Sequence, residues 1–419
     1  MSTLYRRRGC SASLYSCRVT SMDVEERRSA AIVGGGIGGL AAAVALHRAG
    51  WTVAVYERSP TRSGIGAGLT LWPNAVRALH ALGLAEALRS RAMAVRATAV
   101  RRPDGRCLTQ THAGQLLSRY GSPQMAIVRA DLVEMLASAL PPGCLRPGMN
   151  VTDIDAGGLD RQAGIRCGDQ LIRADLVVAA DGVNSGLRQA LWPAQPPAEY
   201  RGYVAWRAIV RAPSAQVGGA SETWGRAARF GIVPIGDDLV YLYATATTTA
   251  REPGADELVD LRHRFRHWHD PIPALLDAIE PGALLRHDIT ALHPPLRRLH
   301  HGRVAFLGDA AHAMEPNLGQ GAGLAIEDAV VLAHAVADGS SIVTGLALYD
   351  QARAGRVTRL AQQSRLLGRL TQSPSAAVAA LRNITIRLIP DRLALRGFDA
   401  AASWHPPTLR PATTTQEHL

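Results

Sequence analysis

Apolar positions along the chain change period several times, and each change marks an element. Ala30 to Val33 is an unbroken apolar run. A glycine-rich turn follows, then a helical pattern from Gly38 to Ala49 that stops at Gly50, then a second strand from Thr52 to Glu57, which together predict a βαβ opening. From Leu69 to Leu88 apolar residues recur at helical spacing behind Pro73, a favoured first-turn residue. Alternation over Ala94 to Arg102 and Cys107 to Gln110, around Pro103-Asp104-Gly105, predicts a hairpin. Ala130 to Leu140 predicts a helix with one apolar face, and the apolar stretch of Ala174 to Ala180, beside Asp175 and Asp181, suits a buried parallel strand.

The middle of the chain reads differently. Tyr200 to about Ala250 is rich in Tyr, Trp, Val and Thr at strand spacing, with Phe230 to Pro234 and Leu239 to Ala246 as clear segments, and predicts a separate sheet. Helix returns between Asp256 and Ile279, Arg303 to Leu307 is another apolar strand running into Gly308-Asp309, and helices dominate from there to Arg396. The apolar, arginine-dotted stretch Ala376 to Arg396 would suit a membrane surface, but is expected to pack against the body of the protein, with Pro390 interrupting it. Residues 1–28 are expected to be a disordered extension with Met22 as the working start, and residues 406–419 a loose tail. The alternation of strands and helices predicts an α/β (α+β) protein.

Composition narrows the chemistry. Of the 419 residues, 47% are hydrophobic and 19% charged, which excludes a disordered chain. The net charge of +11 comes from 46 basic residues against 35 acidic ones, and every basic residue is Arg. Lysine chemistry is therefore excluded, both Schiff bases and the P-loop lysine. The five cysteines, at 10, 17, 107, 144 and 167, form no Cys-x-x-Cys pair, so neither a disulfide scaffold nor a metal site is expected, and a reducing cytoplasm fits. The longest uncharged run, Ala30 to Leu46, falls short of the roughly 20 residues of a spanning helix, so no integral membrane association is expected. The basic, aromatic patch Arg262 to His269 reads as a solvated helix face, since no nucleic-acid module accompanies it.

Two motifs carry a cofactor. Gly34, Gly36 and Gly39 form Gly-x-Gly-x-x-Gly between a strand and a helix: a tight turn, a close approach for a pyrophosphate, and close helix–strand packing. Glu57 ends the next strand 18 residues after Gly39, where a carboxylate meets an adenosine ribose that carries no phosphate, favouring FAD or NAD. Gly308-Asp309 ends a later strand, and Pro316-Asn317-Leu318-Gly319-Gln320-Gly321-Ala322-Gly323 opens a helix whose N-terminal end would face an anion. Two such sites far apart in the chain suit a long cofactor such as FAD.

With these motifs the sequence resembles the FAD-dependent aromatic hydroxylases, the class A flavoprotein monooxygenases, particularly the salicylate hydroxylase, urate hydroxylase and zeaxanthin epoxidase branch. The resemblance spans residues 30 to 365, and it also rests on Ala180-Asp181-Gly182-Val183-Asn184-Ser185 with Arg188 and on Val128-Arg129-Ala130-Asp131-Leu132. It implies a Rossmann-like FAD-binding domain (29–95, 120–195 and 296–360), a mixed or antiparallel-sheet substrate domain (96–119 and 196–295) like that of para-hydroxybenzoate hydroxylase, and a C-terminal helical region (361–405). The cofactor-binding set it implies is Gly34, Gly36, Ile37, Gly38, Gly39, Glu57, Arg58, Arg129, Asp181, Gly182, Asp309, Gly319, Gln320, Gly321 and Ala322, with Pro316 against the isoalloxazine. The implied reaction takes electrons from NADH or NADPH, which visits transiently, and oxygen from O2. A flavin C4a-hydroperoxide then hydroxylates an aromatic or polycyclic small molecule.

Tyr203, Trp206 and Arg207 on one strand and Tyr241 and Tyr243 on another are candidate substrate contacts, Arg207 and Tyr243 foremost. Aromatic faces stack on a ring and a guanidinium holds an anionic group. Period-2 geometry sets Trp206 opposite Tyr203 and Arg207. His312 is read as a hydrogen-bonded residue near the cofactor, Glu327 and Asp328 as braces of their helix, and Asp153 and Asp155 as part of a solvated hairpin. No catalytic base is assigned. The alternatives are a flavin epoxidase or ring-modifying oxygenase and a non-catalytic FAD- or ligand-binding protein; a flavin halogenase is set aside because it needs a lysine.

Overall fold

The computed structural model describes residues 27–61, 67–248, 256–337 and 341–409. The expectation for residues 1–28 falls almost wholly outside them. Ser29–Val33 lies at the centre of a six-stranded sheet, parallel to Thr52–Glu57 on one side and to Leu176–Ala179 on the other. Val304–Phe306 and Leu145–Pro147 extend the parallel pairing outward, and His300–His301 closes one edge in the antiparallel sense. Leu176–Ala179 is buried at every position, as a parallel strand covered on both faces must be. The helices Ile37–Arg48 and Gly321–Ala335 pack against each other over this sheet.

The second large sheet has seven strands, in the order Leu285–Ala291, Glu199–Arg211, Leu239–Thr247, Ala228–Pro234, Ala220–Trp224, Ala97–Arg101 and Cys107–His112. It is antiparallel except where Ala220–Trp224 runs parallel to Ala97–Arg101. Alternation gives it two unlike faces. Val204, Trp206, Ala208, Phe230 and Leu242 pack on the helices Glu257–Phe265 and Ile272–Asp277, through Phe265 and Leu276. Tyr241 and Val233 on the opposite face pack with Ala67 and Ala126, which belong to or adjoin a three-stranded sheet of Gly68–Leu71, Met125–Val128 and Met93–Ala94. That small sheet joins the two large ones.

Three stretches depart from the sequence reading. The helical pattern of Leu69 to Leu88 is a strand, Gly68–Leu71, and two helices, Pro73–Ala81 and Ala85–Arg89, separated at Gly83, whose φ of +75° no helix accommodates. The segment Asp256 to Ile279 is likewise two helices, the second starting behind Pro271. Residues 406–409 are not loose: the Thr408 carbonyl lies 3.0 Å from His334 Nδ1 and Leu409 packs on the core, while residues 410–419 lie outside the described residues. Among the described residues, no helix is long and apolar enough to cross a membrane.

Candidate active site

The ends of the parallel strands converge on one edge. Gly34 follows Val33 with φ +110°, and a Cβ there would stand 2.3 Å from the Ala180 carbonyl oxygen, so only glycine fits. Gly39 is constrained in the same way, its Cβ position lying 2.0 Å from the Gly34 carbonyl oxygen. Gly36 is the opposite case: nothing lies within 4 Å of its Cβ position, which leaves open space at the start of the helix Ile37–Arg48. Glu57 leaves the neighbouring strand with both carboxylate oxygens fixed, Oε2 accepting from the Gly35 N–H at 2.6 Å and Oε1 from the Ser59 N–H at 2.8 Å. Each oxygen keeps a further lone pair. Arg58 beside it is exposed, whereas Ile37 and Gly39 are buried under the turn and Gly38 is half-buried there.

Asp181 and Gly182 follow the strand Leu176–Ala179. Asp181 Oδ2 accepts from the Leu187 N–H at 3.2 Å, while Oδ1 is buried with no partner. Asp309, on the strand end after Val304–Phe306, is exposed at the first position of the short helix Asp309–His312. Arg129 is exposed at the start of the helix Arg129–Ser138.

The turn that follows is held from behind. Pro316–Leu318 forms a 3-10 turn with Pro316 exposed, Gly319 takes φ +61°, and Gly321 opens its helix with nothing within 4 Å of its Cβ position; Ala322 is half-buried next to it. Buried Gln320 accepts from Asn74 Nδ2 at 2.9 Å through Oε1, and its Nε2 has no partner. Asn74 also donates to Glu327 at 2.6 Å. Arg353, wholly buried, donates to Glu327 at 2.6 Å and to Asp328 at 2.7 Å, and Arg356 adds a 2.7 Å bond to Glu327. Asp328 in turn accepts from the Gly308 N–H at 3.0 Å and lies 2.6 Å from His312 Nε2. Burial alone would raise the Asp328 carboxyl, but His312 and Arg353 outweigh it and hold the group well below the usual carboxylate range. Glu327, Asp328 and His312 thus brace the Gly308 and Gln320 turns.

On the second sheet, Arg207, Tyr243, Gly231 and Glu222 stand directly opposite one another on four successive strands. A Cβ on Gly231 would sit 2.0 Å from Tyr243 Cζ, so the tyrosine ring lies across the glycine, on the side of Glu222. Burial and Glu222 push the Tyr243 phenol well up. Tyr241 packs 5.7 Å from Tyr243, ring centre to ring centre; burial raises its phenol against the opposing pull of Arg207 and Arg129. Burial, then Arg207 and Arg129, keeps the His287 imidazole below its ordinary value. Trp206 is a correction among the candidates: it lies on the other face, buried, its indole N–H donating to Glu257 at 2.5 Å.

The two sheets are tied at this point. Arg229 pairs with Glu222 at 3.2 Å and donates to Asn317; the Tyr203 hydroxyl donates to Glu315 at 3.0 Å and to Asn317 at 3.3 Å; Arg201 reaches Glu315 at 3.2 Å. Sequence reasoning did not single out Glu222, Arg229, Glu315 or His287. For Glu222, Arg229 and His287 the signal was parity with Arg207 and Tyr243, which becomes usable once strand register is known, whereas Glu315, just before the Pro316 turn, had none.

Residues 27–364 match the family described as the FAD binding domain. The chain belongs to the class A flavoprotein monooxygenases. Aurachin C monooxygenase/isomerase of Stigmatella aurantiaca is 34% identical over 365 residues, covering 85% of this chain and 93% of that protein. The 2-heptyl-3-hydroxy-4(1H)-quinolone synthase of Pseudomonas aeruginosa is 34% identical over 370 residues, covering 86% and 94%. Among solved structures, Klebsiella pneumoniae HpxO complexed with FAD and uric acid is similar at a TM-score of 0.82 and 28% identity, over 88% of this chain and 95% of that one. The flavoprotein monooxygenase is thus FAD-dependent and takes its electrons from NAD(P)H. Its residues fit the cofactor: Gly36, Gly182 and Gly321 leave open space where a side chain would stand, and Asp181 Oδ1 and Gln320 Nε2 are buried polar atoms still lacking partners.

Proposed function

We propose that this monooxygenase hydroxylates a planar aromatic heterocycle bearing a carbonyl or anionic oxygen, in the cytoplasm, with O2 as co-substrate. The observation that carries the reading is the row of Arg207, Tyr243 and Glu222 tied to the Pro316 turn through Arg229, Tyr203 and Asn317. The quinolone for which one similar protein is named as synthase, and the uric acid complexed with another, are rings of this kind. The free Cys107, Cys144 and Cys167 accord with a reducing compartment.

In this reading segments 29–95, 120–195 and 296–360 hold FAD and segments 96–119 and 196–295 hold the substrate. Gly34, Gly36, Ile37, Gly38 and Gly39 give the pyrophosphate its turn and helix N-terminus, Glu57 accepts from the adenosine ribose, and Arg58 and Arg129 flank the chain of the cofactor. Asp181, Gly182 and Asp309 hold its middle. Gly319, Gln320, Gly321 and Ala322 direct N–H groups at the ring edge where negative charge collects, a preorganised site supported by the helix Gly321–Ala335. Bound FAD would supply the acceptance of a hydride from NADH or NADPH and the activation of O2. The protein's own residues do the rest: Pro316 walls the ring, Arg207 fixes the substrate oxygen, Tyr241 and Tyr243 stack on its plane, and the apolar surroundings exclude water.

The test is the visible spectrum of the purified protein, then anaerobic NADH or NADPH added with and without hydroxy-aromatics, amino-aromatics and 4-quinolones. The expected result is a flavin spectrum that bleaches at least about tenfold faster with one such ring, which then gains one oxygen atom in air. Bleaching that no ring accelerates overturns the reading in favour of a non-catalytic flavoprotein.

A further inference from the structure

The helix Ala376–Leu388 has two unlike sides. Ser375 caps it by accepting from the Val378 N–H at 3.4 Å. Its inner side carries buried Ala379 and Arg382; Arg382 donates to the carbonyls of Trp224 at 3.4 Å and Gly225 at 3.2 Å, and the helix packs against the edge strand Cys107–His112. Its outer side carries Ala377, Leu381, Ile384 and Leu388, which at 3.6 residues per turn fall within an arc of about 60°. Leu381, Ile384 and Leu388 are 67%, 56% and 75% exposed. Ile389 and Leu393, which follow in the chain, are exposed, as are Leu366 and Leu370 of the preceding helix Ile342–Thr371. The sequence reading, in which this segment packs against the body, therefore holds for one side only.

Along the chain, the charge on either side of Leu381 to Leu388 is basic. Between Asp350 and Asp391 the chain carries seven arginines and no acidic residue. Arg353 and Arg356 are engaged with Glu327 and Asp328, and Arg382 with backbone carbonyls, but Arg359, Arg369 and Arg387 are exposed. A helix fixed by one side, with bulky aliphatic residues on the other and arginines beside them, has the composition of an interfacial helix, whose apolar stripe enters the headgroup region while cations meet anionic lipid. An acidic protein would satisfy the arginines yet leave three adjacent aliphatic side chains needing a matching apolar groove.

We infer that the outer face of Ala376–Leu388, centred on Leu381, Ile384 and Leu388, with exposed Arg387 on the same helix and exposed Arg369 in the last turn of the preceding one, docks the enzyme on an anionic lipid bilayer surface. This is peripheral attachment through a rigid face, and it stands independently of which ring the active site oxidises.

The test is flotation of the full-length, FAD-loaded enzyme with vesicles of phosphatidylcholine alone or mixed with phosphatidylglycerol. Wild type is expected to float with the mixed vesicles, at least about tenfold less with the neutral ones, and to be released by roughly 0.5 M salt. L381Q/I384Q/L388Q should abolish flotation, and R369Q/R387Q should weaken it about tenfold, with flavin content unchanged in both. Should the triple variant fail to fold, Leu388→Glu alone, at the exposed end of the helix, reads the same face. Absence of flotation with anionic vesicles, or flotation that the variants leave untouched, overturns the inference. Self-association that the triple variant abolishes, without vesicle binding, would assign the face to a second copy of the chain and overturn it as well.

Discussion

Arg207 and Asp309 belong to different sheets, and substitution at each should separate the substrate from the cofactor. Arg207 is half-buried, so Arg207→Ala removes a charged donor worth about 1.5–3 kcal/mol and should weaken substrate binding roughly tenfold to a hundredfold while flavin absorbance per protein stays unchanged. Asp309 is exposed at a strand end, so Asp309→Ala should leave the circular dichroism of the fold intact and lower FAD occupancy. Equal loss of flavin and substrate affinity in Arg207→Ala, or full flavin content in Asp309→Ala, would misplace the residue concerned. Glycine divides into the same two kinds. Gly34 and Gly39 are glycine because the backbone leaves no room, whereas Gly36 is glycine where room is left for something else.

At the scale of elements, the helices Gly321–Ala335 and Ile342–Thr371 meet through Glu327, Asp328 and Arg353, all wholly buried. Removing one partner of a buried ion network leaves charge without compensation, at a cost of about 3–5 kcal/mol. Arg353→Met is therefore expected to lower the unfolding free energy by an amount of that order, seen as a lower urea midpoint. Because Asp328 and Glu327 also hold Gly308 and, through Asn74, Gln320, it should raise the Kd for FAD as well; a stable variant with wild-type FAD affinity would show that the turns hold without it. Much of this site was legible in the sequence because it is local: the glycine turn, Glu57, Gly308-Asp309 and the Pro316 to Gly323 stretch each declare themselves within a few residues. The row of Arg207, Tyr243 and Glu222 was not, since facing partners on four strands depend on register. Parity did place Trp206 opposite Arg207, but which face looks to the site is decided by where the helices Glu257–Phe265 and Ile272–Asp277 pack. The break of the Leu69 to Leu88 pattern was hidden for a related reason: the apolar spacing continues through Gly83 while its backbone does not.

The whole molecule should be sensitive to acid in a defined direction. His287, His80 and His300 are all lowered, in each case chiefly by burial. Below the ordinary histidine value of about 6.5 the unfolded chain binds protons that the folded chain does not, so stability falls as pH drops through that value toward the folded ones and gains nothing further above it. His287→Gln should make the decline of the urea midpoint between about pH 7 and pH 5 shallower, leaving the share of His80 and His300; an unchanged slope would mean that His287 titrates freely.

The candidate cofactor end of the six-stranded sheet is gathered from residues 34–39, 57, 181–182 and 309, with strands in between that come from every part of that range. A ribosome delivers these pieces in order, so the glycine turn leaves the exit tunnel long before its partners exist. Until Asp309 and the turn through Gly321 have emerged, the nascent chain has no complete cradle to offer. Flavin capture is then a late event in the life of each molecule. Until Leu176–Ala179, Val304–Phe306 and the helix Gly321–Ala335 have been made, the early βαβ unit has only its own helix to cover its apolar strands.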